Sequence, residues 1–264
     1  MSPHPHTPPL SAANRAIAQH FLADHAPPGE VVLCAIVGSR LYGYATPTSD
    51  LDLKGIHQAP TARILQLFPG RDSHERITSY RGRECDLTTH ELATALRLLL
   101  KGNGNMLERI ASPLQLVDHP AVDHLRALAR ATLSRRIHGH YRGYFRGMQR
   151  EHDRDGRAKP LLASIRLALT GTHMLQAGEV ECDLNTLADH FDHPEVLELA
   201  AFQRANTHSA PPPPDLARAV KGLWPHLEAG IAAALETSPL PPQPDNQHIL
   251  DEWLVRRRLE QVGR

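Results

Sequence analysis

At 264 residues the chain is long enough to bury one large core or two smaller ones. Lys and Arg total 29 and Asp and Glu total 29, so no net basic field draws the protein along nucleic acid, and no apolar run reaches the roughly 18 residues a membrane span needs. The 18 histidines show no HExxH or clustered ligand spacing, and the three widely spaced cysteines, with no leader-like apolar segment at the start, fit a protein expected in the reducing cytoplasm.

Residues 1–10 open on a Pro/His-rich stretch that is expected to be disordered or extended. Ser11 then reads as the cap of an amphipathic helix running through Phe21 and Leu22. Residues 31–37, Val-Val-Leu-Cys-Ala-Ile-Val, form a short, β-branched-rich run that stops at Gly38-Ser39, the pattern of a buried strand. Gly38 lets backbone N–H groups approach an anion, and a helix beginning near Ser39 would add its dipole. Ten residues after Ser39 comes Ser49-Asp50-Leu51-Asp52, leading into a second strand through Ile56. Alternation along a strand sends Asp50 and Asp52 to one side and Leu51 and Leu53 to the core.

Residues 61–68 read as a short helix, and residues 76–80 and 83–88 as a hairpin. Asp86 sits at the centre of the second hairpin strand, with Glu84 on the same face by alternation and Glu91 better suited to the following helix. That helix is expected over 89–101, ended by Gly102. Beyond residue 105 the pattern is helical, with helices expected over about 105–111, 120–150, 160–177, 184–190, 195–205, 215–235 and 246–261, punctuated by prolines at 211–214 and 239–244. Asn103 and Asn105 read as turn residues and Arg256 to Arg258 as a solvated helix end. Arg142, Arg146 and Arg150 share a helix face, interleaved with Tyr141, Tyr144 and Phe145. This is either a stacking surface for RNA or a solvated arginine face, and the lack of a glycine-aromatic RNA-binding motif favours the second.

A strand, a Gly-Ser turn, a paired carboxylate and a third carboxylate on another strand suit metal-assisted transfer of a nucleotide from a triphosphate. Asp50, Asp52 and Asp86 are hard oxygen ligands for Mg²⁺ or Mn²⁺, and three carboxylates can hold two such ions about 4 Å apart. Gly38 and Ser39 are placed at the β- and γ-phosphates, Ser49 joins the nucleotide-binding set through the Ser-Asp-x-Asp motif, and Arg40 either contacts phosphate or pairs with a carboxylate. Lys159 and Arg166 lie seven residues apart, two helical turns, and so share a face. They read as triphosphate contacts or as surface charge.

Gly38-Ser39-Arg40-Leu41-Tyr42-Gly43 and Ser49-Asp50-Leu51-Asp52-Leu53-Lys54-Gly55-Ile56 together resemble the polymerase-beta-type nucleotidyltransferase superfamily. Within it, the chain is most similar to bacterial and phage nucleotidyltransferases of the RNA-repair-pathway type. Glu84-Cys85-Asp86-Leu87 resembles that family's third-carboxylate strand, the segment from Lys101 to Glu108 resembles its stretch after the first long helix, and Lys159 with Ile165-Arg166 resembles a Lys/Arg pair on a later helix. The resemblance covers about residues 30–180. It implies an α+β (mixed α/β) fold: a nucleotidyltransferase domain with a small mixed sheet over 11–110, then a helical domain over 111–264, with the ligand in the cleft between them. It also implies an NTP substrate, ATP being expected, with an RNA end, a protein hydroxyl or a small molecule as acceptor. Two other classes stay open: a catalytically silent, antitoxin-like nucleotide- or partner-binding module, and an RNA-binding scaffold built on the arginine-rich helix.

Overall fold

The computed structural model describes residues 10–206 and 210–263; of the stretch 1–10 expected to be disordered, residues 1–9 lie outside the described residues and Leu10 packs against the core. In chain order the elements are α1 (Ala12–Asp24), β1 (Glu30–Ile36), β2 (Leu51–Gln58), α2 (Thr61–Ile64), β3 (Ser73–Tyr80), β4 (Arg83–Glu91), α3 (Leu92–Leu100), α4 (Gly104–Ala111) and α5 (Val122–Ala131). They continue with α6 (Ile137–Asp155), α7 (Ala158–Ala177), α8 (Leu184–His190), α9 (Pro194–Ala205), α10 (Pro214–Gly222), α11 (Trp224–Thr237) and α12 (Gln247–Val262). The fold is mixed α/β, with one small mixed sheet, as the sequence predicts.

Internal contacts divide the chain into two units. A sheet unit takes Leu10–Gly38, Asp50–Thr132 and the segment from Gln243 onward; a helical unit takes Ser39–Ser49 and Leu133–Pro242.

In the sheet unit the strand order is β1-β2-β4-β3. β2 pairs antiparallel with β1 and parallel with β4, and β3 pairs antiparallel with β4. The alternation read from the sequence is realised in β2: Leu51 and Leu53 are fully buried, whereas Asp52 and Lys54 are half-buried. Leu51 and Leu53 join Cys34, Ile36, Cys85 and Leu87 in a core closed by Ala18, Phe21 and Leu22 of α1, against which Leu10 also packs. Ser11 caps α1 as expected, its side chain accepting from the Asn14 N–H at 3.2 Å. Arg81 (φ 50°) and Gly82 (φ 77°) form the two-residue turn between β3 and β4, both in the left-handed region that a tight hairpin requires.

Within the sheet unit several expectations differ. The helix expected from residue 89 starts at Leu92, because β4 stays paired through His90 with β3 and through Glu91 with β2; the Glu91 side chain then caps α3 by accepting from the Ala93 N–H. The helix expected over 61–68 stops at Ile64, leaving Leu65, Leu67 and Phe68 exposed. Of Arg256 to Arg258, expected as a solvated end, Arg256 is exposed, but Arg258 donates to the Glu91 carboxylate and to the Ala59 carbonyl, and Arg257 donates to the Gln58 side chain at 3.1 Å, so these two fasten α12 to the sheet. Asn103 is a turn residue in its capping form, its side chain accepting from the Met106 N–H at 3.0 Å.

The helical unit is built around α7, which buries residues on nearly every side, among them Leu161, Ile165, Leu169 and Leu175. Gly171 lets α6 approach α7, since a Cβ there would lie 2.7 Å from the Tyr141 Cβ. The stretch expected as one helix over 120–150 is two, α5 and α6, and the stretch over 215–235 divides into α10 and α11, where Pro225 falls in the first turn of α11 and cannot continue α10. The arginine face of α6 is solvated in large part, as favoured above, with Arg146 and Arg150 exposed, but two of its residues are also paired. Arg142 and Arg146 both donate to Glu228 of α11, at 2.8 and 2.6 Å, while Tyr141 and Phe145 are fully buried.

Candidate active site

The sheet unit brings the carboxylates together through strand register. β2 and β4 run parallel, and Asp52 lies directly opposite Asp86. Asp50 immediately precedes β2, and its charge helps hold the Cys85 thiol up at about 11, after burial, the larger cause. Glu84 lies two residues before Asp86 on β4 and is exposed.

Gly38 follows β1, and Val37 N–H donates to the Asp52 carbonyl at 2.9 Å, drawing the end of β1 against the start of β2. Gly38 has φ +65°, and a Cβ there would fall 2.0 Å from Asp52 Oδ2 and 2.9 Å from its Cγ. Glycine is therefore required twice, for its backbone conformation and to leave room for the Asp52 carboxylate. The helix expected near Ser39 does not form. Gly38–Arg40 is a single 3-10 turn, so no α-helix dipole is available to an anion there.

Lys54 is the residue that the sequence reading missed. Its Nζ lies 2.7 Å from Asp86 Oδ2 and 3.0 Å from Thr88 Oγ1. The signal was present, since alternation from Asp50 and Asp52 continues to Lys54 on the same side of β2. Carboxylates from two adjacent strands are the hard donors a Mg²⁺ or Mn²⁺ takes. Among the described residues, no three His, Cys, Asp or Glu side chains are gathered closely enough to enclose an ion, and Asp86 is engaged by Lys54.

The helical unit holds most of the nucleotide-binding candidates. Ser39 is buried. Arg40 donates to the Ser49 carbonyl at 2.8 Å, and the fully buried Ser49 hydroxyl accepts from the Thr46 N–H at 2.8 Å, so both side chains shape the 39–49 loop. Helices strap this loop. Leu184 N–H donates to the Tyr42 carbonyl at 3.0 Å, and Asn185 and Arg204 both donate to the Gly43 carbonyl. Gly43 (φ +83°) has no space for a side chain, because a Cβ would lie 2.3 Å from both Asn185 Nδ2 and Asp183 Oδ2.

Arg166 is only 4% exposed, and its guanidinium stands 3.7 Å from the centre of the Tyr42 ring, which removes the surface-charge reading for this residue. Lys159, in the first turn of α7, is half-buried.

A mixed sheet that sets Asp52 opposite Asp86 behind a Gly-Ser turn is the arrangement of the polymerase-beta-type nucleotidyltransferase class. Residues 12–256 match the RNA repair pathway DNA polymerase beta family, and the chain belongs to that family. It is similar to an uncharacterized protein of Methanocaldococcus jannaschii, with 26% identity over 157 residues. That match covers 59% of this chain and 64% of the relative's length. Among solved structures it is similar to a nucleotidyltransferase-like protein from Exiguobacterium sibiricum, at 13% identity and a TM-score of 0.36, covering 84% of this chain and 74% of that one.

Proposed function

We propose that this protein transfers a nucleoside monophosphate from an NTP, with ATP the expected donor, to an acceptor hydroxyl. The observation that carries this reading is the register of Asp52 against Asp86, with Gly38 keeping space for the Asp52 carboxylate. Asp50, Asp52 and Asp86 would hold Mg²⁺ or Mn²⁺, which when bound screens phosphate charge and stabilises the charge that develops in transfer.

The chain's own residues do the rest. Ser39, Arg40 and Ser49 shape the loop that receives the triphosphate, with Lys159 and Arg166 as its further cationic candidates. Arg166 acts on that loop through the Tyr42 ring. The acceptor oxygen bonds to the α-phosphorus while the bond to the bridging oxygen breaks, and pyrophosphate leaves with that electron pair. The acceptor's proton passes to the Asp86 carboxylate.

We assign the chemistry to residues 11–110 and the supporting helices to 111–264. The family's description makes an RNA end the first acceptor to try, ahead of a protein hydroxyl or a small molecule. A reducing cytoplasm suits three buried free thiols, and no helix among the described residues is long and apolar enough to cross a membrane. The scaffold reading is weakened by the pairing of Arg142 and Arg146 with Glu228.

The test is transfer of label from an α-³²P-NTP to RNA, protein and small-molecule acceptors, in Mg²⁺ and in chelator. Wild-type protein should label one acceptor class, and Asp50→Asn or Asp52→Asn should abolish labelling while thermal stability holds or rises slightly as charge repulsion is relieved. Transfer by Asp52→Asn at the wild-type rate would remove the assignment.

A further inference from the structure

The arginine-rich helix α6 lies wholly in the helical unit, and the chemistry proposed above makes no use of it. The helix has two different sides. On one, Tyr141 and Phe145 are fully buried. The opposite side carries a different arginine set from the one the sequence pattern suggests. At about 3.6 residues per turn, Arg136 at the helix start, Arg150 and Arg154 fall within about 40° of one another, along about 27 Å of helix. All three are exposed, and Arg146, paired with Glu228 yet 46% exposed, flanks them. The positions between them on this side are Gly139, Gly143 and Gly147, so no aliphatic side chain interrupts the arginines.

The carboxylates of α6 are matched elsewhere. Glu151 and Asp155 both pair with Arg157, and Asp153 pairs with Lys221 at 2.6 Å. Neither Arg150 nor Arg154 forms an ion pair with any described residue. At one margin of this side Tyr144 is 48% exposed, its ring 4.6 Å from that of His140.

We propose that this side of α6 is a binding surface for single-stranded RNA. Guanidinium groups one helical turn apart, as at Arg150 and Arg154, engage successive phosphates of one strand, and a base stacks on the exposed Tyr144 ring. An anionic membrane is the competing partner for such charge, but an interfacial helix needs an apolar face to bury, and this side has none. The choice of RNA rests on the reading of an RNA end as acceptor; the surface itself does not depend on the carboxylates of the sheet unit.

The test is fluorescence anisotropy of a labelled oligouridylate over a salt series, with the full chain as wild type, Arg150→Ala/Arg154→Ala, Tyr144→Ala, Arg97→Ala and Asp52→Asn, each checked for fold by circular dichroism. Removing two phosphate contacts should lower the slope of log affinity against log salt by about 1.4, at about 0.7 per contact on a single strand. Carried from 1 M salt down to 0.1 M, that slope difference weakens binding about 25-fold. Tyr144→Ala should weaken binding about fivefold or more with the slope unchanged, because stacking releases no counterions. Arg97, exposed in the sheet unit, controls for a general loss of charge, and Arg97→Ala should bind as wild type does. Asp52→Asn should bind RNA as wild type does while losing transfer, so the surface and the transfer reading fail separately.

Equal losses in Arg150→Ala/Arg154→Ala and Arg97→Ala, or no loss in either, would overturn the surface. So would DNA of the same length bound as tightly as RNA, or binding to phosphatidylserine vesicles in place of RNA. If wild type binds no RNA at low salt the surface is likewise overturned, and label transfer to protein and small-molecule acceptors still tests the transfer reading on its own.

Discussion

Replacing Gly38 with alanine tests whether the Gly-Ser turn exists to make room for Asp52. Two costs are separable. The backbone stands at φ +65°, where a side chain costs about 1–2 kcal/mol. The new Cβ would also lie 2.0 Å from Asp52 Oδ2 and 2.9 Å from Cγ, so the carboxylate must rotate away. Rotating the far end of a side chain costs little stability but moves the group assigned to metal binding. Gly38→Ala should therefore melt about 2–8 °C lower, from roughly 2–4 °C per kcal/mol at this size. Its Mn²⁺ affinity should fall far more than that modest stability loss suggests. Gly38→Asn supplies the control, because asparagine tolerates the left-handed region yet carries the same Cβ. It should recover part of the melting temperature and none of the metal affinity. Melting followed by circular dichroism and Mn²⁺ titration are the measurements. Wild-type metal affinity in Gly38→Ala would refute the contact argument, and recovery of affinity in Gly38→Asn would leave only the backbone cost.

Arg258→Met should destabilise the protein by about 3–5 kcal/mol in urea, because it leaves the buried Glu91 carboxylate without its charged partner; a loss below about 1 kcal/mol would place the pair with exposed ones. Arg166→Ala should cost about 2 kcal/mol of stability and couple to Tyr42→Ala in a double-mutant cycle, with a coupling near zero ruling out the stacked contact. Stability should also fall on mild acidification. Burial first and the Arg109 guanidinium second hold His90 down at about 4, and burial lowers His57 as well, whereas both titrate near 6.5 when unfolded. The unfolded chain thus takes up protons first: this stabilisation is complete above about pH 6.5 and is lost as pH falls toward 4, measurable as a declining urea midpoint that is flat above pH 7.

The sequence by itself determined the local elements and the carboxylate pair. A β-branched run stopping at Gly38 makes β1, and two-residue alternation fixes which side of β2 carries Asp52 and Lys54. These are short-range properties, set by sterics and by the pleat. Only the tertiary structure decided that Asp86 faces Asp52, because register between parallel strands separated by a whole hairpin depends on packing far along the chain. For the same reason β4 outran the expected start of α3, as ladder pairing to two neighbours outweighed helix propensity at Thr89 and His90. Tertiary contacts likewise gave the charged residues their roles. Arg166, Arg257 and Arg258 look alike in sequence to any solvated arginine, but a buried or half-buried guanidinium demands partners. Tyr42 for the first and Gln58 and Glu91 for the other two come from segments that no local pattern ties to them.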